Sequence, residues 1–309
     1  MRTGEVACAL VALSACALSH GAEAQDISST VDSIDFRAPI KAQLPKPRKF
    51  EEPAQYNTEL GDDRNILVTA MARPKKFNLT IDLPVFFAAN PEHSRDGSAD
   101  SAHLTPTGKF TFANTSGDFS YGASIYAIGD DFIGGAAKDT SILGGSLSGT
   151  YRDRTEKVSI LASYAPKRVF SNTFGAGTVT LHDLTIGLGR TFSLGGVSLA
   201  VDLSYNRREA SKAGFQQHQP TVVALLKGTF GRPYSWLLKQ QIQRRIFSNA
   251  ASLHRRDWNF STLAEISRPI GSLLVAKLDL TFERNSSNML VKSYSAFDIG
   301  PKLSIAYGF

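Results

Sequence analysis

Histidine and its neighbours offer the first test for chemistry in this chain. The 309 residues include six histidines, and none stands four residues from another, the spacing that lets two imidazoles on one face bind a metal. His182-Asp183 is the best enzymatic candidate, but adjacent residues of a strand point to opposite faces, so Asp183 cannot orient this imidazole. Ser163, on the preceding strand, points to the opposite face from His182, so it cannot be the nucleophile that this histidine would activate. We expect four other histidines in loops: His93, His103, His218 and His254. We therefore predict no enzyme, no metal and no cofactor, and keep a membrane-embedded lipid hydrolase as the third hypothesis.

Charged and amide side chains recur at every second position of the later strands. Strand alternation places such side chains on one face, opposite the apolar residues between them. The candidates for this polar face are Lys239, Gln241, Gln243, Arg245, Lys277, Asp279, Glu283 and Lys302. They can pair across neighbouring strands as a structural network. They can also form a basic, amide-rich ladder that contacts anionic or hydroxylated solutes in a channel. Both hypotheses stay open.

Arginines cluster in the predicted long loops of the second half. They are Arg207, Arg208, Arg255 and Arg256. An exposed guanidinium suits bidentate contact with phosphate. We expect these residues to bind lipopolysaccharide, with an electrostatic funnel for anionic solutes as the alternative. The net charge is +6, but the basic residues are scattered and match no nucleic-acid motif, so we expect no nucleic-acid partner.

Alternating apolar residues predict the strands that carry these side chains. From Lys76 onward the pattern gives twelve candidates, and the last alternates Leu303, Ile305, Tyr307 and Phe309 with small or polar residues. Short polar turns alternate with longer links, such as those predicted at 166–177 and 206–219. Glycine, serine and threonine are too frequent on the polar faces for the outer surface of a soluble barrel. The pattern predicts an all-β fold, an antiparallel transmembrane β-barrel of about twelve strands over residues 76–309.

The N-terminal quarter of the chain predicts export. An apolar run from Val6 to Leu18 precedes Ala22-Glu23-Ala24, which is typical of a signal peptide spanning residues 1–24. The competing interpretation is a lipoprotein box with lipidation at Cys16. Residues 25–75 are rich in proline and poor in apolar periodicity, which predicts a disordered periplasmic arm or a plug for the lumen.

Signal, alternating strands, loop rhythm and terminal Phe309 together resemble Gram-negative outer-membrane β-barrel proteins of porin type. The resemblance implies location in the cell outer membrane, contact with outer-membrane lipid and lipopolysaccharide, and an insertion signal at Tyr307 and Phe309 that the barrel assembly machinery reads. We expect a passive channel for small polar or anionic solutes. The alternative is a structural, assembly or partner-binding barrel without an open pore.

Overall fold

A computed structural model of the chain describes residues 76–90, 93, 100–133, 139–153, 155, 157–171, 174–194, 196–231, 233–248, 254–271 and 273–309. The predicted signal peptide at 1–24 and the predicted arm at 25–75 lie outside the described residues. Within the described ranges, no helix is long and apolar enough to cross a membrane.

Strands account for most of the described residues. Their bounds are β1 (Phe77–Ala89), β2 (Ser101–Leu104), β3 (Thr107–Ser116), β4 (Phe119–Phe132), β5 (Thr140–Arg152), β6 (Val158–Ser171), β7 (Gly177–Leu194), β8 (Val197–Ala210), β9 (Gln217–Gly231), β10 (Tyr234–Phe247), β11 (Arg256–Ile270), β12 (Leu274–Ser287) and β13 (Tyr294–Gly308).

The strands form one closed antiparallel barrel. Sequence neighbours pair from β3 through β13, and β13 returns to pair with β1. β2 and β3 both lie between β1 and β4, so they are two segments of one wall strand, interrupted at Thr105-Pro106. Proline lacks the N–H that a ladder needs, which accounts for the interruption. The wall therefore has twelve strands, and the predicted transmembrane barrel fold is confirmed.

Alternate residues face outward and inward, and the outward ones are apolar. On β1, Leu79, Ile81 and Leu83 are 39%, 37% and 43% exposed, whereas Asp82 between them is 6% exposed. A soluble barrel would bury its apolar face and expose the charged one. The outer surface of this barrel is therefore built to contact lipid.

The connections divide the barrel into two ends. At one end lie the links 90–100, 133–139, 172–176, 211–216, 248–255 and 288–293; at the other lie 117–118, 153–157, 195–196, 232–233 and 271–273. We call these the long-loop end and the short-turn end.

Two of the predicted long loops are shorter than expected. The links predicted at 166–177 and 206–219 shrink to 172–176 and 211–216. The reason is that Lys167 and Val169 in the first link and Arg208 in the second lie inward and are 4%, 0% and 2% exposed. Because these residues are buried inside the barrel, their strands continue where the sequence pattern suggested a loop. The link 172–176 is consequently no longer than the turn 153–157 at the opposite end.

Candidate functional site: the barrel interior

The ladder predicted on β10 faces inward but is closed off from water. Lys239, Gln243 and Arg245 are 6%, 8% and 2% exposed, and only Gln241 is half-buried. The Arg245 Nε donates to Gln243 Oε1 over 2.9 Å, and Gln243 Nε2 donates to Thr221 Oγ1 on β9 over 3.3 Å. In this conformation the ladder bonds to the barrel wall rather than presenting its donors to solutes. The geometry thus favours the structural network for most of these residues.

Glu283, on β12, contacts side chains from three other strands of the same wall. Its Oε1 accepts hydrogen bonds from Asn259 Nδ2 on β11 at 2.7 Å and from the Tyr294 hydroxyl on β13 at 2.6 Å. The guanidinium of Arg245 on β10 lies 3.7 Å away. All four side chains are buried. We call the inward residues of β9–β13 in the long-loop half the polar layer: Gln217, Gln219, Gln243, Arg245, Asp257, Asn259, Glu283, Asn285 and Tyr294.

Arg208 does not lie on the outer surface, which corrects its predicted contact with lipopolysaccharide. Its Nε and Nη2 donate to the two carboxylate oxygens of Asp183 at 2.8 and 3.2 Å, and Lys167 Nζ lies 2.9 Å from the same carboxylate. Arg208 is 2% exposed. The parity of β8 decides the outcome: Arg207 points outward to the lipid side, and Arg208 points into the barrel.

Arg255 is corrected in the same way. It is 7% exposed and forms a two-pronged hydrogen-bonded ion pair with Asp257, and its guanidinium carbon lies 4.3 Å from the ring centre of Phe247. Arg256, the first residue of β11, is exposed on the outward face. Of the four arginines proposed for lipopolysaccharide, the structure leaves Arg207 and Arg256 at the surface.

An ion-pair network occupies the short-turn half of the interior. Lys277 and Lys302 lie 3.1 and 3.4 Å from Glu265 Oε2, and Lys302 lies 2.5 Å from Asp279 Oδ2. The Lys277 side chain retains 20% exposure and that of Glu265 14%. These four residues link β11, β12 and β13, as the cross-strand hypothesis predicts. Unlike most of the polar layer, Lys277 and Glu265 still contact water.

A cavity opens beside this network, and we call it the vestibule. Its volume is about 480 Å³, and its inward-facing lining includes Ser198, Lys227, Thr229, Ser235, Glu265 and Ser267. On β8, the inward residue Asp202 is exposed. Small hydroxylated side chains such as Ser148, Ser163 and Thr185 form the inward face of β5–β7 and are half-buried. Water therefore reaches the interior in the short-turn half.

Apolar side chains fill the long-loop half on the side opposite the polar layer. The link between β8 and β9 makes one 3-10 turn, Ala213–Phe215, that brings the Phe215 ring inward. Phe215 is 0% exposed. It packs in a cluster that we call the apolar cap: Ile128, Ile142, Val169, Val179, Leu181 and Phe215. Polar layer and apolar cap together exclude water from this half.

The sequence interpretation missed a buried histidine. We expected His103 in a loop, but it lies on β2 with 2% exposure. Its Nδ1 is 2.7 Å from Asp130 Oδ1, its Nε2 is 3.8 Å from Asp298 Oδ1, and its ring stacks on Phe132 at 4.8 Å. The alternation of Ser101, His103 and Thr105 was the available signal, but β2 is too short to reveal it. His218 also lies in a strand, on the outward face of β9, rather than in a loop.

His182 and Asp183 point to opposite faces, as strand parity predicted. His182 lies outward and its Nδ1 is 2.7 Å from the Tyr164 hydroxyl, so its recorded partner is a tyrosine rather than a serine. Asp183 lies inward with Arg208. Among the described residues, no group of three His, Cys, Asp or Glu side chains is placed to hold a metal ion.

Tyr307 and Phe309 lie where the barrel closes. The backbones of Phe77 and Phe309 exchange two hydrogen bonds, of 3.2 and 3.0 Å. The ring of Phe309 stacks on Phe77 at 5.8 Å, and Phe110 and Tyr307 lie 6.1 and 5.8 Å from it. The predicted insertion signal is thus also part of the seam between the first and last strands.

The sequence matches no protein-family model and no curated protein. An outer membrane channel from Pseudomonas putida F1 is similar in structure, with a TM-score of 0.51 and 11% identity over 80% of this chain and 100% of that chain. LpxR from Salmonella typhimurium has a TM-score of 0.44 and 10% identity, over 74% of this chain and 99% of that chain. An anion-selective porin from Comamonas acidovorans has a TM-score of 0.40 and 8% identity, over 75% of this chain and 98% of that chain. At these identities the similarity concerns the fold, which is that of outer-membrane β-barrel proteins.

Proposed function

We propose that the chain is a channel for small polar solutes in which the vestibule leads to a gate made of the polar layer and the apolar cap. The observation that carries this proposal is the asymmetry of the interior. A cavity of about 480 Å³ and the exposed Asp202 mark a water-accessible short-turn half. In the long-loop half, Arg245, Asn259 and Phe215 are 2%, 1% and 0% exposed. Conduction then requires the long-loop half to rearrange.

The vestibule and the ion-pair network beside it favour polar solutes of either charge or none. Lysine and carboxylate side chains face each other in the network of Lys277, Glu265, Lys302 and Asp279. Serine and threonine hydroxyls across the lumen can both donate and accept hydrogen bonds. Because the ladder residues Lys239 and Arg245 are buried, they do not supply the anion preference that the sequence suggested.

The proposal places the barrel in the outer membrane of a Gram-negative bacterium, after export by a cleaved signal peptide. The long-loop end then faces the outside and the short-turn end faces the periplasm, as in other barrels of this architecture. Outer-membrane lipid, lipopolysaccharide and the barrel assembly machinery are the proposed partners besides the solutes. Transport is passive, and no catalytic residue is assigned.

Single-channel recording on the refolded chain in a planar bilayer tests this function. We expect discrete conductance steps. In a background with Cys8 and Cys16 replaced by serine, Asp202→Cys should lose conductance when a bulky charged thiol reagent is added, because its side chain points inward and is exposed in the short-turn half of the lumen. Leu203→Cys is the matched control, since Leu203 is 56% exposed on the outward face. Equal effects at both positions would contradict a path through the vestibule.

The buried state of the long-loop half also favours a second function, a non-conducting barrel that serves structure or binds a partner. A correctly folded barrel that stays silent over a wide range of voltages would support this alternative and overturn the channel. Heat-modifiable migration on a gel would show that the silent protein is folded.

A further inference from the structure

A groove crosses the outward, lipid-facing surface of the barrel. Its volume is about 850 Å³, and it runs over β4–β8 from Tyr121 to Arg207. Volumes of this size are ordinary for ligand clefts. No polar network fills it, because the side chains that form it belong to the apolar face of the wall.

Two rows of directly paired residues form the groove. One row joins Ala123, Leu147, Tyr164, Leu184 and Arg207. The other joins Tyr121, Gly149, Ala162, Ile186 and Tyr205. Ala123, Gly149 and Ala162 are small, and the other members of the two rows are large. The small residues make the floor, and leucine, isoleucine and tyrosine side chains make the walls.

The length of the groove suits one acyl chain. Five strands about 4.8 Å apart give a groove of roughly 19 Å. One leaflet of hydrocarbon is about 15 Å deep, half of a 30 Å core. A groove of this length that runs obliquely to the membrane normal can therefore hold one acyl chain across one leaflet.

Polar groups gather where the groove ends on β8. The Arg207 side chain is 54% exposed, and its Nε donates to Glu209 Oε1 over 2.5 Å. Two tyrosine–histidine pairs border this end, Tyr205 with His218 and Tyr164 with His182. Arg207 lies near the long-loop end of its strand. A cationic group there meets the headgroup level, where a lipid carries its phosphate.

We infer that this groove binds lipopolysaccharide, with one acyl chain on the floor of Ala123, Gly149 and Ala162 and a lipid A phosphate at Arg207. The choice of lipopolysaccharide rests on the proposed orientation, in which the long-loop end lies in the outer leaflet. The apolar groove matches the acyl part of such a lipid, and Arg207, whose side chain stays 54% exposed although its Nε bonds to Glu209, matches the phosphate. Tyrosine hydroxyls beside Arg207 add hydrogen-bonding groups at the same level.

Native mass spectrometry of the refolded full chain with purified lipid A tests the inference. We expect one tightly retained lipid A per barrel. Ala162→Phe, which fills the floor, should abolish retention. Arg207→Gln should weaken it about tenfold, the effect of losing one hydrogen bond to a charged group. The matched controls are Ala264→Phe on β11 and Arg284→Gln near the long-loop end of β12, both outward residues away from the groove, and both should retain lipid A normally.

Four outcomes would overturn the assignment. Retention unchanged in Ala162→Phe and Arg207→Gln would remove the groove as the site. Equal weakening by the control variants would show a general loss of lipid contact. Phosphatidylglycerol bound as tightly as lipid A and lost in the same variants would make the ligand a phospholipid. A dimer that dissociates in Ala162→Phe would make the groove an interface between two copies. Conductance is a separate readout, because these side chains face away from the lumen.

Discussion

Asp183 balances the charge of two buried cations in the long-loop half of the interior. Its carboxylate meets Arg208 at 2.8 Å and Lys167 at 2.9 Å, and it is 4% exposed. Removing one member of a buried ion pair leaves an uncompensated charge and costs about 3–5 kcal/mol. This cost exceeds what an isolated surface pair contributes by several-fold.

We therefore expect Asp183→Asn to lower the free energy of unfolding by several kcal/mol. Urea titration of the barrel in detergent micelles, followed by tryptophan fluorescence, measures this change. Asp202→Asn is the control, because Asp202 is an inward carboxylate that is exposed. A control that destabilises the barrel as much as Asp183→Asn would mean that burial of the charge is not the cause.

Gly300 allows β13 to approach β1 closely at the seam. A Cβ placed on Gly300 would lie 1.9 Å from the carbonyl oxygen of Val85 and 2.8 Å from the Phe86 Cα. Backbone atoms cannot move aside as a flexible side chain does. We expect Gly300→Ala to reduce the yield of folded barrel, measured by heat-modifiable gel migration. Gly108→Ala should fold normally, since nothing lies within 4 Å of its Cβ position.

At the scale of the elements, the link between β8 and β9 acts as part of the closure. It is short, and its 3-10 turn places Phe215 among Ile142, Val169 and Leu181, all 0% exposed. Replacing a buried Phe by Ala costs about 3–5 kcal/mol, because apolar contacts are lost and a cavity remains.

Phe215→Ala should therefore loosen the apolar cap and increase the time that the channel spends conducting. Single-channel recording measures this open fraction. Leu290→Ala is the control, because Leu290 is 67% exposed in the 3-10 turn of another long loop. An unchanged open fraction in Phe215→Ala would exclude the apolar cap from gating.

The pairing of β1 with β13 depends on aromatic side chains at the short-turn end. Phe309 contacts Phe77, Phe110 and Tyr307, and each aromatic pair contributes about 0.5–1.5 kcal/mol beyond its buried area. We expect Phe309→Ala to slow refolding into vesicles and to lower insertion into the outer membrane. Phe230→Ala should insert normally, since Phe230 is 69% exposed at the same end but outside the seam.

For the whole molecule, we expect the charges in and beside the vestibule to set the ion selectivity of the proposed channel. The network pairs Lys277 and Lys302 with Glu265 and Asp279. Paired charges leave little net field for mobile ions. We expect a reversal potential near zero under a salt gradient. Asp202→Asn and Asp202→Lys should shift it stepwise toward anions, and a strong initial anion preference would contradict the proposed lining.

The strands could be predicted because the alternation of apolar and polar residues shows, at each position, which face of the sheet a side chain lies on. Leu303, Ile305 and Tyr307 were placed on the lipid face from their spacing, and they are 37%, 36% and 50% exposed. Parity likewise placed Lys239 and Glu283 in the interior. It could not show that both are buried, since burial depends on side chains contributed by other strands.

Boundaries and loops were harder to predict for the same reason. Lys167 and Arg208 resemble loop residues in sequence because basic side chains usually contact solvent. They are buried because Asp183, on the strand between them, lies directly opposite Arg208 and diagonally opposite Lys167, and binds both. Only the register of β6, β7 and β8 brings these three residues together.

The sequence by itself predicted a membrane barrel, because its segments alternate with a period of two and the polar face has too many small residues for the outer surface of a soluble barrel. It also determined which residues of each strand point inward, since parity is a local property of extended backbone. The tertiary structure decided which inward side chains meet water, where the interior is filled, and how the register of β4–β8 brings small and large outward residues together in a groove. These features depend on distances across the barrel and on strand register, which local alternation does not encode.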